Sequence, residues 1–162
     1  MRINFKLLLR NSLVIVAWIG VVSTILITQY NILFQNKTLQ SLKTPFSPYL
    51  AVDFSIYEVL IILFSSIVAI VFLSSLKAAL VGIVLTLVAS LGIATAYSYY
   101  HILYVLGFAK YIEVGGFDWS LALYCVLMNF KKAFPVTIAL IVIGAVIGFF
   151  VKSYTFPRQW DF

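Results

Sequence analysis

Residues 78–104 read AALVGIVLTLVASLGIATAYSYYHILY, an apolar run without Lys, Arg, Asp or Glu. Small residues recur at every fourth position of this run: Ala78, Gly82, Thr86, Ser90, Ala94 and Ser98. Four residues turn an α-helix by about 400°, so these positions form a ridge that drifts by about 40° per step. Small side chains let helix backbones approach closely in lipid. We therefore predict that the six residues form a helix-packing ridge.

The drift of this ridge predicts the place of its helix in the bundle. Over five steps the ridge turns by about 200°, which is more than one neighbouring helix can cover. We therefore predict that the helix is central, with contacts on more than one side. A second close-packing pattern, GxxxG, places Gly144 and Gly148 in the last apolar run.

The composition is that of a membrane protein. Of the 162 residues, 64% are hydrophobic and 10% are charged, against about 25% charged residues in soluble domains. Four apolar runs approach or exceed the roughly 20 residues that cross a bilayer, and they lack the alternation of β-barrel strands. We predict an all-α integral membrane protein with one helical membrane domain over residues 1–162.

Four transmembrane helices are predicted, at about 13–34, 55–76, 78–106 and 133–152. The twelve-residue run from Trp119 to Phe130 rises only about 18 Å, too little to cross, so we predict a short interfacial or re-entrant helix at about 118–130. Basic residues four apart before residue 11 predict a separate amphipathic entry helix at the membrane surface. This start resembles a signal peptide, but no A-x-A-like site follows, so we expect the first helix to be retained.

The net charge of +6 comes from 11 Lys and Arg against 5 Asp and Glu. These charges lie at the ends of apolar runs, so we predict membrane lipids as partners and no nucleic acid. Four crossings divide the basic residues between the two sides of the membrane. The side of the termini holds Arg2, Lys6, Arg10, Lys77, Lys152 and Arg158. The other side holds Lys37, Lys43, Lys110, Lys131 and Lys132. The division is nearly even, and the basic start of the first helix favours cytoplasmic termini.

His101 is the single histidine and lies among tyrosines in the segment 97–104. Imidazole changes charge near neutral pH, so Glu113 or Asp118 folding back onto it would create a proton-handling site. An aromatic belt at the membrane–water interface explains the same residues more simply, and we prefer that interpretation.

The remaining acids and the thiol have structural explanations. Ser55 and Glu58 have the spacing of a capping box, and Asp118 is placed to cap the short helix after it. No charged side chain is expected to be buried. One histidine and Cys125 cannot form a metal cage or a disulfide, and no nucleotide-binding or hydrolase motif occurs. We therefore predict no catalytic residue, cofactor or metal, and no enzyme activity for the chain alone.

These observations favour a non-catalytic structural or accessory subunit of a larger integral membrane complex, with a respiratory or electron-transfer assembly as the favoured setting. In general character the chain is similar to small hydrophobic subunits of archaeal terminal oxidases, a similarity that no motif carries. The expected partners are other integral membrane subunits.

Two alternatives stay open. One is a small transporter or pore-forming protein that acts as a homo-oligomer, with hydroxyl groups along its pathway. These hydroxyls would come from Thr86, Ser90, Thr95 and Ser98. The other alternative is a membrane enzyme with its polar site near His101.

Overall fold

Helices make up the regular structure of the part of the chain that the computed structural model describes, residues 5–35, 54–105, 118–132 and 134–155. The elements are α1 (Phe5–Gln35), α2 (Ile56–Phe72), α3 (Leu76–Tyr100), a π-helical turn (His101–Val105), α4 (Trp119–Lys132) and α5 (Phe134–Thr155). The predicted all-α class is confirmed for these residues.

Three segments are long and apolar enough to cross a membrane: Phe5–Ile32, Leu76–Val105 and Phe134–Thr155. Helices of this length and apolarity are what an integral membrane protein requires. The fourth predicted crossing, α2, is apolar but has only 17 residues. It rises about 26 Å, less than the hydrocarbon core of about 30 Å.

The start of α1 differs from the prediction. Within the described residues α1 begins at Phe5 and continues unbroken to Gln35, so the prediction of a separate entry helix before residue 11 is wrong. No glycine or proline precedes Gly20 in this helix, and nothing therefore interrupts it. The side chain of Asn11 holds α1 to the bundle, because it donates to Ser74 Oγ at 2.7 Å and accepts from Ser74 N–H at 3.2 Å.

The turn between α2 and α3 comes earlier than predicted. α2 ends at Phe72 because Leu73 adopts extended backbone, with φ −68° and ψ 140°. Ser75 then caps α3, since its hydroxyl accepts from the Ala78 N–H at 3.2 Å. The predicted capping box at the start of α2, formed by Ser55 and Glu58, is confirmed.

α1 packs most extensively against α3, and α2 against α5. Ile15 lies beside Gly82 near the starts of α1 and α3, and Tyr30 lies beside Tyr97 near their ends. These two helices therefore run parallel. The largest fully buried apolar side chains at the centre of the bundle include Trp18, Val22, Leu26, Ile62, Ile70 and Ile141.

The short helix α4 is inclined across α3 rather than running alongside it. Asp118 N–H donates to Tyr99 Oη at 3.1 Å, and Asn129 Nδ2 donates to Ser98 Oγ at 3.0 Å. Asp118, just before α4, and Asn129 within it are separated by about 16 Å along the helix axis, yet they bond neighbouring positions of α3. α5 follows directly, with the Phe130 and Phe134 ring centroids 5.4 Å apart.

Candidate functional site

An aromatic cluster lies at one end of the bundle, called here the His101 end, where α1 and α3 finish and α2 begins. The Tyr30 hydroxyl lies 3.2 Å from His101 Nδ1, and the Tyr97 ring stacks on the imidazole at 6.0 Å. The Tyr30 ring packs edge-on against the Tyr97 ring and the imidazole, with centroid distances of 5.8 and 5.6 Å. Sequence analysis missed Tyr30, which is 71 positions from His101 and reaches it only through the parallel packing of α1 and α3.

His101 lies where the geometry of its helix changes. Its backbone N–H donates to the carbonyls of both Tyr97 and Ser98, and the five residues His101–Val105 form the π-helical turn. Single π-helical turns are rare and often occur at functional positions. This irregularity makes His101 the first position to probe on this helix.

Glu58 connects α2 to α1 at the same end. Its Oε2 accepts from Gln29 Nε2 at 2.6 Å, from Ser55 N–H at 2.8 Å and from the Ser55 hydroxyl at 2.9 Å. Gln29 is 2% exposed, so its amide depends on this partner. Asn31 likewise accepts from the Tyr97 hydroxyl at 3.2 Å. Polar groups of three helices are therefore bonded to one another.

The two other predicted acids have different outcomes. Asp118 Oδ1 accepts from the N–H groups of Ser120 and Leu121 at 2.9 and 3.1 Å, so it caps α4 as predicted. Glu113 lies outside the described residues, and a proton-handling role for it with His101 stays a prediction.

The small-residue ridge of α3 faces the interior of the bundle. Ala78 is half-buried, and the buried members are Gly82, Thr86, Ser90, Ala94 and Ser98. A Cβ on Gly82 would lie 3.2 Å from the Leu73 side chain and 3.4 Å from that of Ile15, whereas Ser98 contacts α4 through Asn129. α3 therefore has neighbours on more than one side, as its drifting ridge predicts.

The second small-residue pattern lies where α2 and α5 approach most closely. A Cβ on Gly144 would lie 2.6 Å from Ser66 Cβ and 2.9 Å from the Leu63 carbonyl oxygen. A Cβ on Gly148 would lie 2.9 Å from Ile70 Cβ. The two helices run parallel, and this spacing leaves no room for side chains at either glycine.

Asn129 is a buried polar residue that sequence analysis missed. It is 4% exposed, and its Nδ2 donates to Ser98 Oγ and, at 2.9 Å, to the Cys125 carbonyl. Ser98 Oγ in turn donates to the Ala94 carbonyl at 2.8 Å.

Burial raises the pKa of the Cys125 thiol to about 11, so this thiol stays protonated near neutral pH and is a poor nucleophile.

A cavity of about 670 Å³ lies between α3 and α4. Its lining is mostly apolar and includes Leu87, Leu91, Gly92, Ala122, Val126 and Phe130. The Thr95 hydroxyl is buried there with no partner within the described residues, and Tyr99 Oη accepts from Asp118 N–H. None of the lining residues is Asp, Glu, His, Lys or Arg, so this cavity suits hydrocarbon rather than acid–base chemistry.

The opposite end of the bundle, called here the Ser74 end, contains a charge that was expected to be exposed. Lys152 of α5 is 3% exposed, and its ammonium donates to the carbonyl of Leu73, the C-cap residue of α2. The prediction that no charge is buried is therefore wrong. Carbonyls at a helix C-terminus lack helical partners and carry partial negative charge, which suits a cation. Arg10 lies close enough for its like charge to act on Lys152.

No protein family, curated protein or solved structure matches this chain. Within the described part of the chain, no group of three or more His, Cys, Asp and Glu side chains is placed to hold a metal ion. The His101 end is therefore interpreted from its own geometry.

We expect substitution of His101 by Gln to leave the fold intact. A glutamine amide can still bond the Tyr30 hydroxyl, so the free energy of unfolding should fall by about 1 kcal/mol or less. Thermal unfolding of the purified protein in mild detergent measures this change. The matched variant His101→Leu removes the hydrogen bond and should be less stable than His101→Gln. A collapse of the fold in His101→Gln would show that the imidazole itself is required.

Proposed function

We propose that this chain is a non-catalytic structural or accessory subunit of a larger integral membrane complex, with a respiratory or electron-transfer assembly as the favoured setting. The observation that carries the proposal is the apolar core shared by α1, α2, α3 and α5. Large side chains such as Trp18 and Ile62 fill it, and several buried hydroxyls bond their own helix, as Ser66 does to the Ile62 carbonyl at 2.7 Å. The Thr86 and Thr95 hydroxyls have no partner within the described residues, and the cavity beside Thr95 has a mostly apolar lining. A transport pathway would instead need polar groups converging on open space.

The outer surface supports association with other helices. A Cβ added to Gly20 would meet no atom within 4 Å, and this glycine is exposed together with Thr24 and Thr28. These three residues are four apart on one face of α1, the spacing at which small residues allow close helix contacts in lipid. The same surface would serve a homo-oligomer, which is the form expected of a transporter.

Purification from native membranes in mild detergent distinguishes the two functions. A structural subunit should copurify with other membrane proteins in fixed stoichiometry. Gly20→Leu, on the outer face, should release these partners, whereas Leu85→Ile, also exposed, should retain them. A homo-oligomer without other proteins, or equal recovery of partners with Gly20→Leu, would contradict the proposal.

For the topology we propose four crossings, with α2 as a short span, α4 not spanning, and both termini cytoplasmic. The structure-based support is that the start of α1, the α2–α3 turn and the end of α5 meet at the Ser74 end, through Asn11 and Lys152. α4 also has only 14 residues, about 21 Å in length.

Cysteine accessibility should place the ends of these helices. In a Cys125→Ala background, single cysteines at Tyr57 and Lys77 should be labelled from opposite sides of the membrane, because α2 lies between them. Cysteines at Trp119 and Lys131, the two ends of α4, should be labelled from the same side. Sealed vesicles and an impermeant thiol reagent make the measurement. Labelling of the two α4 positions from opposite sides would show that α4 crosses.

A further inference from the structure

The charges of the described residues are distributed unevenly between the two ends of the bundle. Their acids are Glu58 and Asp118. Both lie at the His101 end, where Glu58 bonds Gln29 and Asp118 contacts Tyr99. Described cations at the Ser74 end comprise Lys6, Arg10, Lys77 and Lys152. No described acid balances them there.

Three of these cations form what we call the cationic patch, Lys6, Arg10 and Lys77. All three are exposed. Lys6 and Arg10 are four apart and share one face of α1. The pairing of Asn11 with Ser74 brings this part of α1 to the turn before α3, and Lys77 is in the first turn of α3. The patch therefore joins two neighbouring helices.

Helix dipoles add to the positive potential of the patch. α1 and α3 both begin at this end, and neither has an acid in its first turn. The positive ends of two helix dipoles and positive side chains therefore coincide there, although cations are unfavourable at a helix N-terminus. Lys152 is satisfied by the Leu73 carbonyl, but the three patch residues have no ion pair with an acid of the described residues. Within the described part of the chain, the patch therefore has a net positive charge, which attracts anions.

The position of the patch identifies the anion. It lies at the ends of Phe5–Ile32 and Leu76–Val105, two segments long and apolar enough to span a bilayer. The groups found at this depth in a membrane are phospholipid head groups, whose anionic members attract basic residues. We propose that the cationic patch binds the phosphate groups of anionic phospholipids in the leaflet at the Ser74 end. This site does not depend on membership of a complex.

Spin-labelled lipids test the proposal on the full-length chain in vesicles of phosphatidylcholine and phosphatidylglycerol. Electron paramagnetic resonance measures how much labelled lipid the protein surface holds. Labelled phosphatidylglycerol should be held in preference to labelled phosphatidylcholine of the same chain length. Each basic residue near an anionic surface contributes up to about fivefold, so the triple variant Lys6→Gln, Arg10→Gln, Lys77→Gln should lose most of the preference.

Matched variants make the result specific to the patch. Lys131→Gln removes one exposed cation at the other end of the bundle and should lower the preference far less than the triple variant does. Lys77→Arg keeps the charge and should also keep the preference, which separates charge from folding defects. Equal retention of the two lipids by the unaltered protein, an unchanged preference in the triple variant, or an equal loss in Lys131→Gln would overturn the proposal.

The source of the anion is tested in the same assay. Replacing chloride by inorganic phosphate at constant ionic strength should leave the lipid preference unchanged if the patch recognises head groups. A preference that disappears in phosphate alone would show a site for free anions and overturn the assignment to lipid.

Discussion

Gly144→Ala should destabilise the protein, whereas Gly20→Ala should leave its stability unchanged or raise it. Alanine forms helix better than glycine by about 1 kcal/mol, so helix propensity favours both substitutions. At Gly144 the new methyl group would lie 2.6 Å from Ser66 Cβ and 2.9 Å from a backbone carbonyl oxygen. Forcing α2 and α5 apart should cost about 1–3 kcal/mol. At Gly20 the new methyl group would meet no neighbouring side chain or other helix within 4 Å.

Unfolding of both variants in mixed detergent micelles measures whether the change in the free energy of unfolding has opposite signs at Gly144 and Gly20. The double variant Gly144→Ala, Ser66→Gly removes the closer of the two contacts and should recover part of the lost stability. Gly144→Leu adds more bulk at the same site and should prevent a stable fold. Equal stability of the Gly144→Ala and Gly20→Ala variants would mean that α2 and α5 do not pack as closely as the structure shows.

Glu58→Ala should be the most damaging substitution of a polar side chain at the His101 end. It removes the acceptor of three hydrogen bonds, one from Gln29 and two from Ser55. Loss of the two bonds to Ser55, the Glu58 half of the capping box, costs about 1 kcal/mol, and an unpaired buried amide costs about 1–3 kcal/mol. We therefore expect the free energy of unfolding to fall by about 2–4 kcal/mol.

A double-mutant cycle separates these two contributions. Gln29→Leu in the Glu58→Ala background removes the unpaired amide and should restore part of the stability, leaving the cost of the lost bonds to Ser55. Ser55→Ala alone loses the hydroxyl but keeps the carboxylate bound to Gln29, so its effect should be smaller. If Gln29→Leu restores nothing in the Glu58→Ala background, the contact between α1 and α2 contributes little.

Local patterns in the sequence predicted the features that depend on nearby residues. The spacing of Ser55 and Glu58 is sufficient for a capping box, because both groups lie within one turn of helix. The ridge from Gly82 to Ser98 follows directly from helical periodicity, and so does its drift from one neighbour to another. The short length of α4 follows from counting the residues between its polar ends.

Boundaries were harder to predict because they depend on partners. A basic, amphipathic start is compatible with a surface helix, but the bond from Asn11 to Ser74 favours one continuous α1. α2 is shorter than its apolar run because Leu73 leaves the helix and presents its carbonyl to Lys152. Ser74 is more than 60 positions from Asn11 along the chain, and Lys152 is more than 60 positions from Leu73, so neither effect is visible in a local pattern.

The sequence by itself determined the all-helical, apolar character of the chain and its small-residue faces, because composition and helical periodicity act over a few neighbouring residues. Only the tertiary structure decided which polar groups meet. Parallel packing of α1 with α3 brings Tyr30 to His101, and parallel packing of α2 with α5 brings Lys152 to the end of α2. Unpaired polar groups are costly inside an apolar bundle, so each needs a partner, and the fold determines which residue supplies it.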